Sequence, residues 1–231
     1  MVKVEVAALL AGKASPLGPQ GVQSAIAKRP VDGPARIGET GMVGDEQGDR
    51  RNHGGPEKAL HHYAFDHYAR WREELSAPPA ILDAPGAFGE NISTVGMTEA
   101  DVCVGDVYAV GSALLQVSQG RQPCYKLNLR FGEKRMARKL QQTGRTGWYY
   151  RVLRTGVIHP GDAFELQERP HPQWPLSRLL HVMFIDTLNL DALRAIVALE
   201  ALSPNWKQTA LRRLEKNSVE SWARRLGEDV A

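Results

Sequence analysis

Three segments of the chain carry residue types that can do chemistry. The first is Gln116-Val-Ser118-Gln119-Gly120-Arg121-Gln122-Pro123-Cys124-Tyr125-Lys126. A strand-like run enters a Gly-Arg-x-Pro loop and ends at a cysteine with cations on both sides. Neighbouring cations favour thiolate over thiol, and a thiolate is both a nucleophile and a soft-metal ligand. The other cysteine, Cys103, lies in Asp-Val-Cys-Val-Gly without a cation beside it and reads as an inert buried thiol. The second segment runs from Gly41 to Tyr63 and holds Asp45, His53-Gly54-Gly55-Pro56 and Lys58. Paired glycines let a backbone approach a ligand closely and take positive φ. Beside a histidine and a lysine, such a loop can cradle an anion with its N–H groups; without a ligand it is a glycine-rich hairpin with solvated charges. The third is Phe88-Gly89-Glu90-Asn91-Ile92-Ser93-Thr94. Its carboxylate can accept from a ring N–H and its amide can both donate and accept, although the same residues also make a turn that bonds its own backbone. His61 and His62 are adjacent and so point to opposite faces of a strand.

These groups need a scaffold. Val2, Val4 and Val6 alternate with Lys3 and Glu5, the period of a half-buried strand. Further strand-like runs are Ile26 to Val31, Val102 to Val104, Val107 to Val110, Leu114 to Ser118, Trp148 to Leu153 and Ala163 to Gln167. Turn signals separate them. Short runs with frequent turns predict an antiparallel barrel or compact sandwich. Helical spacing predicts helices over Phe65 to Leu75 and over 133–141. Beyond the proline-rich stretch Arg169 to Pro175 the period becomes helical. Ser203-Pro204 marks an N-cap with proline at the first helical position, and Val219, Trp222, Ala223 and Leu226 form a last stripe. The chain therefore divides into a mainly β domain over 1–170 and a bundle of three or four helices over 171–231.

Composition narrows the function. The chain has 231 residues, 42% hydrophobic and 24% charged, which is ordinary for a soluble globular protein. Its net charge of +3 hides an asymmetry: residues 121–154 hold ten Lys/Arg and only Glu133 as an acid, so the remainder is acidic overall. Two cysteines cannot build a structural zinc site or an iron–sulfur cluster alone, nor a disulfide framework. No long apolar run predicts a membrane span, the N-terminus lacks the apolar core of a signal peptide, and a cytoplasmic location is expected.

The three segments, in this order, resemble the MOSC domain family, the molybdenum-cofactor sulfurase C-terminal domain, and within it the YiiM-like bacterial branch. The matching stretches are Ser24-Ala-Ile-Ala-Lys28, Gly44-Asp45-Glu-Gln, His53-Gly54-Gly55-Pro56 with Lys58-Ala-Leu60, Phe88-Gly89-Glu90-Asn91, Gln116-Val-Ser118-Gln119, Arg121, Pro123 to Asn128, and Thr143-Gly144 with Gly147-Trp148. The tail from Leu202-Ser203 to Trp206, with Ser221 to Leu226, resembles that branch's three-helix domain. The resemblance implies a MOSC-type β-barrel with a few inserted helices, a small C-terminal helical bundle, and a molybdenum cofactor (molybdopterin). It makes Cys124 the metal ligand. Lys28, Lys58 and Arg121 would meet the cofactor phosphate, His53, Gly54 and Gly55 would give close backbone approach, and Glu90 and Asn91 would read the pterin edge. Ser24, Asp45, Ser118 and Gln119 fall in the same matching stretches and complete the cofactor-binding set. His53 is also taken as a catalytic residue; with His62 and Asp45 it is a candidate proton donor.

The activity implied is reduction of N-hydroxylated compounds to amines, with N-hydroxylated purines such as 6-hydroxylaminopurine as the branch's substrates. The chain has no Gly-x-Gly-x-x-Gly after a strand and too few cysteines for an iron–sulfur relay, so electrons are expected from a separate reductase, such as a flavoprotein. The tail cations Lys207, Arg212, Arg213, Lys216, Arg224 and Arg225 are either its docking face or a solvated helix face. Three other readings compete. Cys124 would carry a persulfide in a cofactor or sulfur carrier. The basic segment would serve a nucleic-acid binder, but it lacks interleaved stacking aromatics. A Cys–His hydrolase would need an oxyanion loop that is not visible.

Overall fold

The structure, a computed structural model, describes residues 4–49 and 53–228. Val2 and Lys3 of the N-terminal alternation, and Arg50, Arg51 and Asn52 of the glycine–histidine loop, lie outside the described residues. The strands are β1 (Val6–Ala11), β2 (Ser15–Leu17), β3 (Val22–Ser24), β4 (Arg29–Pro30), β5 (Ala35–Gly38), β6 (Gly41–Met42), β7 (Leu60–Ala64), β8 (Ile92–Thr94), β9 (Val107–Val110), β10 (Ala113–Gly120), β11 (Trp148–Arg154), β12 (Gly156–Ile158) and β13 (Glu165–Glu168). Eight of them form one mixed sheet in the order β13-β9-β10-β11-β7-β8-β1-β4. Short sheets β12-β5-β6 and β2-β3 accompany it. The Val6 N–H donates to the Asp162 carbonyl and the Phe164 N–H to the Val4 carbonyl. The start of the first strand thus pairs with the chain just ahead of β13, and the mixed sheet curls round on itself as a partly closed barrel.

The inner strand β7 explains the site's placement. All five of its residues are buried, because both of its faces are covered. Leu60 belongs to the barrel's main core, whereas Tyr63 belongs to a second cluster with Tyr68 and Trp71 of helix α1 (Asp66–Glu74). Strand alternation puts His62 with Leu60 and His61 with Tyr63. β7 pairs in parallel with β8, through His62↔Ile92 and Ala64↔Thr94, and antiparallel with β11. The residues before and after these strands therefore meet at one end of the barrel.

Helices α2 (Lys126–Phe131) and α3 (Met136–Thr143) follow β10, and α4 (Leu176–Phe184), α5 (Leu190–Val197), α6 (Pro204–Lys216) and α7 (Ala223–Leu226) form the tail. Leu179, Leu180 and Trp206 of the tail share one core cluster with Val102, Val117 and Trp148 of the barrel. Several expected elements differ. Within the run Ile26 to Val31 the strand is Arg29–Pro30, since Ile26 and Lys28 line the cavity described below. Val102 to Val104 is a turn in which the Asp106 carboxylate accepts from the Cys103 N–H, with Cys103 making an isolated bridge to Pro175. The last stripe is helical only from Ala223, because Asn217 takes a left-handed conformation that stops α6.

Candidate functional site

Cys124 ends the loop between β10 and α2. The turn is fixed from both sides. The Arg121 N–H donates to the Gly147 carbonyl, and the Leu127 N–H to the Cys124 carbonyl. The Cys124 Sγ lies 3.6 Å from His53 Nε2, so the first and second sequence segments come together as a thiol–imidazole pair. Among the described residues, His53 Nδ1 has no hydrogen-bond partner; Asp49 Oδ2 stands at 4.0 Å. Burial and then the charges of Lys126, Lys58 and Arg121 push the His53 pKa down to about 4, against the opposing pull of Asp49. The ring is therefore neutral at pH 7.

Two connected spaces flank the pair. An inner recess of about 70 Å³ is bounded by Ser24, Lys28, Asp45, Asn91 and Arg121 among others. An outer cavity of about 990 Å³ runs from the barrel mouth to the helical tail. Gly48, His53, Lys58, Cys124, Lys126 and Tyr149 line both. In the recess, Lys28 Nζ pairs with the Asp45 carboxylate, which also accepts from the Gly12 N–H and from Asn91 Nδ2. Desolvation lowers the Lys28 pKa, and Asp45 opposes that shift. Ser24 Oγ accepts from the Ile26 N–H at 3.3 Å. Lys28, Asp45 and Asn91 thus form a neutralised floor, and Lys58, Lys126 and Arg121 place further cations on the recess wall.

Other expected site residues stand elsewhere. Glu90 is fully buried behind the recess. Its carboxylate accepts from the Tyr68 hydroxyl and from the Gly86 and Phe88 N–H groups. Burial first of all raises its pKa. It shapes the Phe88-Gly89 turn and offers no edge to a ligand. Ser118 donates to the Glu57 and Tyr149 carbonyls from inside the sheet. Gln119 and Gly54 line the outer cavity. Gly55 opens the 3-10 turn Pro56–Lys58 at φ 94, a conformation only glycine takes freely. His62 is sealed between the Tyr150 hydroxyl and Thr94 Oγ1 and stacked near Trp148, with burial lowering its pKa to about 3. It does not reach the cavity, and Asp45 is held by Lys28, so neither is a free proton donor. The lining residues not foreseen as site residues include His61, whose Nε2 has no partner among the described residues, Lys126 and Tyr149. His61's inclusion follows from the alternation that sends it opposite to His62.

The donor set suits an anionic, soft-metal-bearing group. A single thiol meets three cations, and buried His53 Nδ1, His61 Nε2, Arg121 Nη1 and Gln119 Oε1 lack partners among the described residues. No three His, Cys, Asp or Glu side chains among those residues converge on a metal position. A metal at Cys124 would have to bring most of its own ligands, as the dithiolene sulfurs of molybdopterin do. The outer cavity has the volume for such a group; the inner recess has room for part of one.

Residues 49–165 match the MOSC domain, and residues 174–217 match the YiiM-like, 3-alpha helix domain. The chain is 40% identical over 211 residues to Protein YiiM of Escherichia coli, covering 90% of this chain and 92% of that protein. It is 43% identical over 173 residues to a protein of Gibberella moniliformis named Reductase, covering 74% of this chain but 30% of that one. Among solved structures, YiiM from Geobacillus stearothermophilus superposes with a TM-score of 0.77 at 34% identity, covering 91% of this chain and 99% of that one. Barrel, tail and sequence agree, and the chain belongs to the MOSC domain family, with the YiiM-like three-helix domain following.

Proposed function

We propose that this protein reduces N-hydroxylated compounds, with purine bases of the 6-hydroxylaminopurine type as substrates, using molybdenum cofactor held at Cys124. The observation that carries this reading is the Cys124–His53 pair, at 3.6 Å, in a cavity lined by Lys58, Lys126 and Arg121. The cofactor, when bound, supplies two-electron redox chemistry at molybdenum. The chain's own residues do the rest. Cys124 provides the soft protein ligand. Lys58, Lys126 and Arg121 offset the cofactor's phosphate charge. His53, with Nε2 3.6 Å from Cys124 Sγ, is the titratable side chain placed to exchange a proton beside the reacting region. The overall reaction is R–NH–OH + 2e⁻ + 2H⁺ → R–NH₂ + H₂O.

The electrons come from a separate reductase, a flavoprotein by class. Support comes from the relative named Reductase, of which this chain covers 30%. The expected setting is the cytoplasm, and among the described residues no helix is long and apolar enough to cross a membrane. The test is purification from a host that makes the cofactor, followed by elemental analysis and turnover of 6-hydroxylaminopurine by dithionite-reduced protein. Near-stoichiometric molybdenum with adenine as product supports the reading. Metal-free protein that gains a sulfur atom on Cys124 would establish a persulfide carrier instead.

A further inference from the structure

The outer cavity has two walls. The barrel supplies Gln119, at the end of β10, and the tail supplies Ser203, Pro204 and Asn205, at the start of α6. The two are stitched together, because the Ser203 N–H donates to the Ser118 carbonyl at 2.9 Å. Ser203 occupies the N-cap of a 13-residue helix, where a serine hydroxyl ordinarily accepts from the first-turn N–H groups. Here it makes no such bond, whereas Asn189 at the start of α5 does accept from the Ala192 N–H. Ser203 and Gln119 are each 1% exposed, and Ser203 Oγ and Gln119 Oε1 both lack a partner among the described residues. A buried polar atom left unpaired is costly, and two of them at one seam of one cavity mark a place built for a ligand.

The chemistry of the seam is specific. A carboxamide offers an acceptor and a donor in one plane, and a hydroxyl can do either. Asn205 adds a second carboxamide. Uncharged planar amides of this kind match the donor–acceptor edge of a nitrogen heterocycle, as glutamine and asparagine match adenine. Of the cations, Lys58 and Lys126 are shared with the recess and Arg121 lies in the recess alone, while Arg224 and Arg225 border the outer cavity on the tail side. We infer that Gln119 and Ser203 form a subsite for the ring edge of the substrate, so that the helical tail supplies half of the specificity for a heterocyclic base; this rests on the reductase reading above. Gln119 then serves the substrate rather than the cofactor.

The test uses full-length protein from a cofactor-producing host, with Ser203→Ala and Gln119→Met. Three quantities are measured: adenine binding by equilibrium dialysis, molybdenum content and heat-unfolding midpoint. Each variant should bind adenine about fivefold more weakly, the loss of one net hydrogen bond. Molybdenum content should match the wild type, and the midpoint should stay nearly level, because each substitution removes an unpaired buried atom and Gln119→Met gives up only the long Nε2 donation to the Gly120 carbonyl at 3.4 Å. Wild-type protein that does not bind adenine, or variants that bind it equally well, would overturn the inference. So would variants that lose molybdenum with unchanged adenine affinity, which would return these residues to the cofactor. Adenine binding weakened as expected in protein that cannot reduce 6-hydroxylaminopurine would leave the subsite standing while the reductase reading fails.

Discussion

Cys124 and Cys103 are the same side chain in opposite surroundings. Cys124 lines a cavity beside His53, while Cys103 is 3% exposed and its Sγ faces the Pro172 carbonyl at 3.7 Å. Burial raises the Cys103 pKa, with Asp106 adding to the shift. We therefore expect Cys124→Ser to fold normally but lose N-hydroxyl reduction by at least about a hundredfold, whereas Cys103→Ala keeps most of it; steady-state turnover with matched circular dichroism spectra checks both. His62 gives a second expectation. Its folded pKa lies near 3 and its unfolded value near 6.5, so the unfolded chain binds its proton first as pH falls. The stability that neutral His62 preserves is complete above about pH 6.5 and is lost on the way down to about pH 3. Between pH 7 and 4.5 that amounts to about 3 kcal/mol. In His62→Gln the loss of unfolding free energy over that interval, from urea titrations at both pH values, should be smaller by roughly this amount. At this scale the sequence was informative about residue type and poor about facing. The contrast between the two cysteines was legible, because charge neighbours are written in the chain. The placement of Glu90 behind the recess was not, since a four-residue motif does not say which of its side chains the turn folds inward.

At the scale of elements, the last helix acts as a clasp on the cysteine loop. The Tyr125 N–H donates to the Arg225 carbonyl, the Arg225 guanidinium donates to the Pro123 carbonyl and to Gln141, and Asn128 Nδ2 donates to the Leu226 carbonyl. Gly227 sits at φ 78, and a Cβ there would lie 2.8 Å from Tyr125 Cβ. Gly227→Ala should cost about 1–2 kcal/mol of local stability from the left-handed strain alone. Arg225→Met should act at the same place by removing the tie to Pro123. Hydrogen exchange of the 121–131 segment reads both: faster exchange at the Tyr125 amide is expected, and an unchanged rate would mean that the loop holds its shape without the clasp. Among the tail cations, Arg225 and Arg213 are taken up internally, Arg213 by Glu220 and the Met183 carbonyl. The α6 start at Ser203-Pro204 was legible from capping chemistry, and β9, β10 and β11 from alternation. β7 and α2 were not, because a strand buried on both faces loses its alternation and a six-residue helix is too short to show a period; β5 alternates in burial but has only four residues, two of them with apolar side chains, in which to show it.

For the molecule as a whole, the basic segment 121–154 resolves into separate duties. Arg145 pairs with Glu74 and lies over Trp71, Arg151 pairs with Glu57, Arg138 with Glu228 and Lys139 with Glu133. Arg121 and Lys126 face the cavity. Net charge alone could not distinguish structural ion pairs from a binding field. The shared core likewise ties the tail to the barrel. Deleting 172–231 would strip Leu179, Leu180 and Trp206 from a cluster that includes Val117 and Trp148, and each large buried side chain removed from a core costs about 2–5 kcal/mol. For the three named that is about 6–15 kcal/mol, comparable to the whole stability of an ordinary domain, so the truncated chain should fail to give a cooperative unfolding transition or should precipitate on expression. A truncated chain with a sharp native-like transition would show that the barrel folds alone. The meeting of Val4 and Val6 with Asp162 and Phe164 has a further consequence, for synthesis. The apolar strand Val6–Ala11 leaves the ribosome well before part of its pairing, which is encoded roughly 150 residues later. At about 5–20 residues per second, the nascent chain carries that open edge for roughly ten to thirty seconds. It is the stretch that a chaperone would have most reason to hold during translation.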